Sequence, residues 1–246
     1  MSDAKIRLHL DQPLGAGQSL PLAEAQAHYL FGVMRLGVGA RVLVFNGRDG
    51  EWLAEVEEAG KRKGLLRCVE LVRPQDSPPD LWLLFAPLKK ARTDFVVEKA
   101  VELGAARIQP VQTEFTNAER VRQDRLQAHA TEAAEQCGAT WVPEVADLER
   151  LDRVLAGWPE GRRLYYCDEG EAGRASSLAA LVENEGRASA EAILIGPEGG
   201  FSEAERTRLR ALPFVTVLPL GPRILRAETA AVAALALWQA ARGDWR

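Results

Sequence analysis

The hydrophobic pattern of the chain changes at a proline-rich polar stretch, Arg73-Pro-Gln-Asp-Ser-Pro-Pro-Asp80, and this change constrains the fold more than any other feature. Before it, short runs alternate apolar and polar residues between glycine-containing turns, a pattern typical of antiparallel strands. After it, continuous apolar runs alternate with helical patterns, which is typical of a parallel sheet covered on both faces. The sequence therefore predicts a small antiparallel β-barrel or meander over 1–73, a linker over 74–80 and an α/β domain over 81–246.

The predicted elements follow from the same periodicities. In the first part, residues 22–36 have a helical pattern in which Arg35 lies in the last turn and Gly37 supplies the C-cap. Strands are predicted at 41–46, 51–57, 65–72, 81–86, 107–112, 164–167, 192–195 and 214–218. Helices are predicted at 93–103, 125–137 and 228–241, and the last of these is so rich in alanine and leucine that it must be buried.

Composition excludes several classes of protein. The longest apolar stretch in the 246 residues, 230–238, is far shorter than the roughly 20 residues that cross a bilayer, and the N-terminus lacks a signal-peptide core. The three cysteines are scattered and no spacing is typical of a zinc site. We therefore expect a cytoplasmic protein with no membrane span and no metal. The net charge of −4 argues against non-specific coating of nucleic acid, although a local basic patch suffices to position an RNA backbone.

Two loops at predicted strand ends are candidates for a ligand site, because ligands of open α/β sheets bind beyond the carboxyl ends of the strands. The first, 196–202, contains three glycines and ends at Ser202, which with Glu205 has the spacing of a capping box. The second, 218–230, brings Arg226 and Glu228 to the start of a buried helix. The alternatives are a tight turn that binds nothing and an ion pair that caps the helix.

A third strand end, 165–170, carries acids but is weak evidence by itself. The chain contains no G-x-G-x-x-G after a strand, no phosphate-binding P-loop and no nucleophile elbow. Dinucleotide-dependent dehydrogenases and serine hydrolases are therefore poor candidates.

The same residues carry a specific resemblance. Ile195-Gly-Pro-Glu-Gly-Gly-Phe-Ser202 and Leu220-Gly-Pro-Arg-Ile-Leu-Arg-Ala-Glu-Thr-Ala230 closely resemble the ribosomal small-subunit RNA methyltransferase E family, which belongs to the trefoil-knotted SPOUT methyltransferases. Lys99-Ala-Val-Glu-Leu-Gly104, the segment 132–144 and His28 with Val33-Met-Arg35 add to the match. The resemblance spans nearly the whole chain in the right order.

The resemblance implies a fold, a reaction and a partner. The fold is an N-terminal PUA-like RNA-binding barrel followed by a knotted, mostly parallel α/β domain that binds S-adenosylmethionine. The reaction is methylation of N3 of one uridine in 16S rRNA of the small ribosomal subunit, by a homodimer. The positions expected to bind the cofactor are Leu194, Ile195, Gly196, Pro197, Glu198, Gly199, Leu218, Leu220, Gly221, Ile224, Leu225, Arg226, Thr229 and Ala230.

Roles for charged residues follow from the chemistry of methyl transfer to a base. Arg226 is expected to stabilise negative charge that develops on the uracil, and Glu228 to accept the N3 proton or to orient Arg226. The residues expected to contact RNA are Arg7, Arg35, Lys61, Arg62, Lys89 and Arg92, although the last four also fit ordinary solvated loops.

The chain departs from the family pattern at four positions, where it has Tyr29, Phe115, Ala139 and Ala227. Three other functions stay open. A knotted 2′-O-ribose methyltransferase is the nearest, a catalytically silent RNA-binding protein would keep the fold, and an unrelated α/β oxidoreductase is disfavoured by the missing dinucleotide motif.

Overall fold

The computed structural model describes residues 4–117, 121–171, 181 and 190–245. The chain forms two compact units. The first comprises residues 1–77 together with 134–142, and the second comprises 78–133 and 143–246. Each unit has its own sheet and its own buried cluster of apolar side chains.

The first unit is built on a five-stranded sheet in the order β1-β3-β4-β5-β2. Its strands are β1 (Arg7–His9), β2 (Ser19–Pro21), β3 (Arg41–Phe45), β4 (Glu51–Ala59) and β5 (Gly64–Arg73). The pairs β3–β4, β4–β5 and β2–β5 are antiparallel, whereas β1 lies parallel to β3. The three predicted strands are thus confirmed, with bounds that differ by at most two residues, while β1 and β2 are too short to show a pattern.

The helical segment of the first unit differs from the prediction. A short helix, α1 (Glu24–Ala27), continues into a π-helical turn, His28–Val33, and the chain leaves it at Met34. Arg35 itself takes the left-handed conformation at φ 56°, so the predicted cap at Gly37 is wrong. A left-handed residue commonly ends a helix, but glycine normally supplies it because other side chains are strained there.

The second unit is an all-parallel sheet in the order β12-β10-β11-β6-β7-β8, with β9 also paired to β7. Its strands are β6 (Leu81–Phe85), β7 (Arg107–Gln112), β8 (Glu144–Val145), β9 (Glu149–Arg150), β10 (Arg163–Cys167), β11 (Glu191–Ile195) and β12 (Val215–Val217). Its helices are α2 (Lys90–Glu102), α4 (Leu151–Ala156), α5 (Glu203–Ala211), α6 (Ala227–Arg242) and most of α3 (Gln123–Cys137), whose residues from 134 onward belong to the first unit. The predicted parallel sheet and the predicted helices are confirmed. No helix of the described residues is long and apolar enough to cross a membrane.

The central strands β6, β10 and β11 are mostly buried, as their apolar sequences predict. On one face, Leu84, Tyr166 and Leu194 share a buried cluster with residues of α4 and α5. Elsewhere α6 is fixed to β11 by a buried ionic contact. Glu191, whose side chain is only 3% exposed, accepts hydrogen bonds from Trp238 Nε1 at 2.6 Å and Arg242 Nε at 2.9 Å.

Strand register brings distant parts of the chain to one edge of this sheet. Cys167, the last residue of β10, lies beside Ile195 at the end of β11, and Tyr166 lies beside Val217 at the end of β12. Ile195 in turn pairs with Phe85 at the end of β6. The loops that follow these strands therefore start side by side.

Candidate functional site

A cavity of about 560 Å³ lies at these strand ends, and we call it the strand-end cavity. Its walls are the loop after β11, the loop after β12 with the start of α6, the residues that follow β10, and Arg92 of α2. The size is in the range of small-molecule and cofactor sites. Both loops singled out in the sequence therefore border the same space.

The loop after β11 is shaped by glycines and anchored by a helix cap. A Cβ atom on Gly196 would lie 2.5 Å from the Phe201 ring, and Gly200 has a φ of 71°. The backbone N–H of Gly200 donates to the carbonyl of Pro197 at 2.9 Å, which closes a tight turn. Ser202 and Glu205 form the predicted capping box of α5, so that prediction is confirmed.

The residues after β10 are held by a buried ionic network. The Asp168 side chain is fully buried, pairs with Arg206, and accepts a hydrogen bond from Arg210 Nη2 at 2.7 Å. Burial by itself would raise the pKa of Asp168, but the Arg210 and Gly170 hydrogen bonds and the arginine charges lower it below its ordinary value. The carboxylate is therefore a structural anchor of the cavity wall.

Cys167 lines the cavity with a buried thiol. Its side chain is buried at the end of β10, and burial raises the pKa of its thiol. Because the thiolate is the nucleophilic form of cysteine, this burial disfavours a role for Cys167 in nucleophilic catalysis.

Arg92 bridges the two loops of the cavity. Its guanidinium pairs with Glu198 of the first loop, and its Nε lies 3.6 Å from Glu228 Oε1 at the start of α6. The other carboxylate oxygen of Glu228 is buried and has no hydrogen-bond partner among the described residues. Arg92, which the sequence analysis assigned to RNA, thus forms part of the cavity wall.

Arg226 occupies the N-cap position of α6 and is exposed at the cavity. Its carbonyl accepts the N–H of Ala230 at 2.8 Å, which fixes its backbone. Within the part of the chain that the structure describes, its guanidinium has no ion-pair partner, and the same holds for Arg223. Glu228 is therefore paired with Arg92 and does not orient Arg226.

The structure brings most of the expected cofactor positions together. Twelve of the fourteen line the strand-end cavity: Ile195, Gly196, Pro197, Glu198, Gly199, Leu218, Leu220, Gly221, Ile224, Leu225, Arg226 and Ala230. The side chain of Leu194 lies instead in the buried cluster of the sheet, and Thr229 is exposed on α6. Sequence reasoning missed Cys167, Asp168, Glu169, Gly200, Arg223 and Ala227 as lining residues, although the strand end at 165–170 was a visible signal for the first three.

Comparisons with known proteins identify the family to which the chain belongs. A family model described as an RNA methyltransferase domain matches residues 75–239, and one described as an RNA methyltransferase PUA domain matches residues 22–67. The ribosomal RNA small subunit methyltransferase E of Synechocystis sp. is 33% identical, and the match covers 89% of this chain and 72% of that protein. The chain belongs to this family. The enzyme of the same name from Rickettsia conorii is 29% identical over 94% of this chain and 93% of its own length.

A solved structure of the family extends the likeness to three dimensions. The ribosomal RNA small subunit methyltransferase E of Neisseria gonorrhoeae, bound to S-adenosyl methionine, is 26% identical and has a TM-score of 0.87. The match covers 98% of this chain and 99% of that one. The expected fold class, a mostly parallel α/β domain with a small PUA-like N-terminal domain, is thereby confirmed, and the trefoil knot stays a prediction.

Arg7, which was expected to contact RNA, forms its contacts within the first unit. Its side chain is 12% exposed, pairs with Glu51 at 2.6 Å, and donates to the carbonyls of Ala134 at 2.6 Å and Ala139 at 2.7 Å. Its guanidinium also lies over the Phe45 ring. Its donors are therefore occupied, which does not agree with the expected contact to RNA.

The other basic residues expected to contact RNA are accessible. Arg35, Lys61, Arg62 and Lys89 are exposed, and Arg62 forms a long surface ion pair with Glu24 at 3.7 Å. Such exposed ion pairs contribute little to stability. No group of three or more histidine, cysteine or acidic side chains suited to a metal lies among the residues described.

Proposed function

We propose that this chain is an S-adenosylmethionine-dependent RNA methyltransferase that methylates N3 of one uridine in the 16S rRNA of the small ribosomal subunit, in the cytoplasm. The observation that carries the proposal is the strand-end cavity, because both loops that the resemblance assigns to the cofactor border it. The S-adenosyl methionine bound to the Neisseria gonorrhoeae relative supports the choice of cofactor.

The residues of the cavity fit this cofactor. Ile195, Leu218 and Leu225 offer apolar contact for a purine, and the glycines of the first loop allow close approach of a ligand to the backbone. Arg223 and Arg226, unpaired within the described residues, suit the carboxylate of an amino acid or a developing negative charge. When bound, the cofactor supplies a methyl group on a positively charged sulfur.

Arg226 is the proposed electrostatic catalyst. Uracil N3 becomes nucleophilic as its proton leaves, and the negative charge spreads over N3 and the two neighbouring carbonyl oxygens. The exposed guanidinium at the N-cap of α6 can donate to such a carbonyl oxygen, since no partner among the described residues competes for it. A preorganised donor of this kind stabilises the transition state more than the ground state.

Glu228 is the proposed acceptor of the N3 proton. Its Oε1 faces Arg92, whereas its Oε2 is buried without a hydrogen-bond partner among the described residues. A buried carboxylate oxygen with no donor is costly, and protonation of the carboxylate would reduce that cost. Arg92 then holds the carboxylate in place and links it to the first loop through Glu198.

We assign RNA binding and dimer formation to other parts of the chain. We propose that residues 1–73 bind rRNA through Arg35, Lys61 and Arg62, that 74–80 form the linker and that 81–246 carry out catalysis. We also propose a homodimer, supported by the half-buried side chains of Val232, Ala233, Ala236 and Leu237 on α6. Light scattering at micromolar concentration tests it, and a monomer alone would contradict it.

The reaction itself is tested by product analysis. Small ribosomal subunits from a strain that lacks this protein are incubated with the purified chain and isotopically labelled S-adenosylmethionine, and the digested nucleosides are identified by mass spectrometry. We expect 3-methyluridine at one position. A label on a ribose 2′-oxygen would refute the N3 assignment. Cofactor binding by calorimetry without methyl transfer to either subunits or free 16S rRNA would indicate a silent RNA-binding protein.

A further inference from the structure

A second cavity adjoins the strand-end cavity, and we call it the side cavity. It measures about 420 Å³ and shares the first-loop residues 197–199 with the strand-end cavity. Its other walls include Lys89, Phe115 and Asn117. Ligands that fill the two cavities would therefore meet at one shared loop.

Phe115 gives the side cavity an exposed aromatic face. The residue is 46% exposed, although a phenylalanine is normally buried in a soluble protein. Its Cβ lies 3.3 Å from the position that a Cβ on Gly199 would occupy, which places it directly beside the shared loop. An exposed ring next to a candidate catalytic cavity is a surface on which a nucleic-acid base can stack.

The position of Phe115 is fixed by the residues on both sides of it. The backbone N–H of Thr113 donates to Thr116 Oγ1 at 2.8 Å, and the N–H of Glu114 donates to Glu205 Oε1 at 2.9 Å. Glu205 is also the capping residue of α5, since its other oxygen accepts the N–H of Ser202 at 3.0 Å. One carboxylate therefore ties the segment that carries Phe115 to the first loop.

Positive charge also borders the side cavity. Lys89 and Lys90 are exposed, and neither has a carboxylate partner in the described part of the chain. Both lie in the wall of a further cavity of about 480 Å³, which shares residues 87–89 and Asn117 with the side cavity. Unpaired lysines beside an aromatic platform are complementary to the phosphates that flank a base.

We propose that the side cavity holds the acceptor nucleotide, with its pyrimidine base turned out of the RNA and stacked on Phe115, and with Lys89 and Lys90 beside the flanking phosphates. This inference rests on the proposed function, because it specifies where the RNA substrate of that reaction binds. An enzyme that modifies an atom of a paired or stacked base must extrude that base into a pocket, and the loss of stacking in the RNA is offset by stacking on the protein. The shared loop then places the base next to the strand-end cavity.

The test compares variants at position 115 in methyl transfer to small ribosomal subunits. Phe115→Ala should lower kcat/KM roughly 5- to 150-fold, the fold-change equivalent of stacking one base on one aromatic ring. Phe115→Trp should restore most of the rate, whereas Phe115→Leu, which keeps apolar volume without an aromatic face, should not. Phe95→Ala is the matched control, because Phe95 is also exposed, at 39%, and lines none of these cavities.

Calorimetry with S-adenosylmethionine accompanies each variant and separates the possible outcomes. The inference is supported if kcat/KM falls in Phe115→Ala and stays at the wild-type value in Phe95→Ala. The cofactor affinity of both variants must then lie within twofold of wild type. A Phe115→Ala rate within twofold of wild type refutes it and leaves the proposed function intact. An equal loss of cofactor affinity in Phe115→Ala also refutes it, since the ring would then only support the first loop. Absence of methyl transfer by the wild-type chain refutes the proposed function itself.

Discussion

Replacing Gly200 by alanine tests whether the first loop must keep its observed shape to bind the cofactor. Gly200 has a φ of 71°, a left-handed conformation that costs a residue with a side chain about 1–2 kcal/mol. The added Cβ would also overlap Oε1 of Glu169, so that carboxylate must move and its pairing with Arg206 is disturbed. A partly exposed ion pair contributes up to about 1 kcal/mol, which gives a total of about 1–3 kcal/mol.

We expect this cost to appear as weaker cofactor binding. Without ligand the loop relaxes away from the strained conformation, and binding must restore it. The Kd for S-adenosylmethionine, measured by calorimetry, should rise about 5- to 150-fold. Gly221→Ala isolates the backbone contribution, because Gly221 also lines the cavity with a φ of 78° but has nothing within 4 Å of an added Cβ. Its Kd should rise by about 5- to 30-fold.

Gly17→Ala is the control outside the cavity. Gly17 has a φ of 74° and open space around an added Cβ, but it lies in the first unit. Its thermal midpoint should fall while its Kd for the cofactor stays at the wild-type value. If Gly200→Ala binds the cofactor as tightly as wild type with an unchanged midpoint, the first loop is not the cofactor wall and the reasoning fails.

Three further outcomes follow from the same structure. Arg226→Ala should lower single-turnover methyl transfer about 10²–10³-fold and leave the cofactor Kd nearly unchanged; wild-type turnover would make Arg226 merely structural. Arg242→Met should lower the free energy of unfolding in urea by about 3–5 kcal/mol, because Glu191 loses its buried cation. The pKa of Asp168 is lower in the folded protein than in the unfolded chain, so ionised Asp168 stabilises the fold. This stabilisation is complete above the unfolded-state pKa and is lost as the pH falls through the folded-state pKa. Between about pH 5 and 3 the thermal midpoint should therefore fall less steeply in Asp168→Asn than in wild type, and parallel curves would contradict this.

Local sequence patterns predicted the helices, strands and caps whose conformation depends mainly on residues within the same segment. The strands at 81–85 and 191–195 were each predicted to within one residue, because a buried parallel strand is recognisable as a continuous apolar run. The capping box of Ser202 and Glu205 was predicted from spacing alone, since both partners lie within one helical turn. The two-residue strands β8 and β9 have no periodicity and could not be predicted.

Strand order could not be predicted, and it determines the rest of the site. β10 lies between β11 and β12, so Cys167 and Asp168 join a cavity whose other walls begin at Gly196 and Leu218. No local sequence pattern indicates that these strands are neighbours in the sheet. Arg92 shows the same limit, because its two carboxylate partners lie more than a hundred residues further along the chain. Its positive charge near two lysines favoured a contact with RNA, whereas in the fold Arg92 pairs with two carboxylates.

The pairing of β6 with β11 has a consequence for the synthesis of the chain. Leu81 pairs with Glu191, which lies about 110 residues later. At the usual rate of about 5–20 residues per second, the ribosome needs roughly 5–20 s to supply that partner. During this interval β7 can cover one side of the apolar β6, while the other side presents unpaired backbone groups. Translation of β11 therefore ends a period in which the nascent chain can pair with another copy or with a chaperone, and slower translation of residues 86–190 would lengthen it.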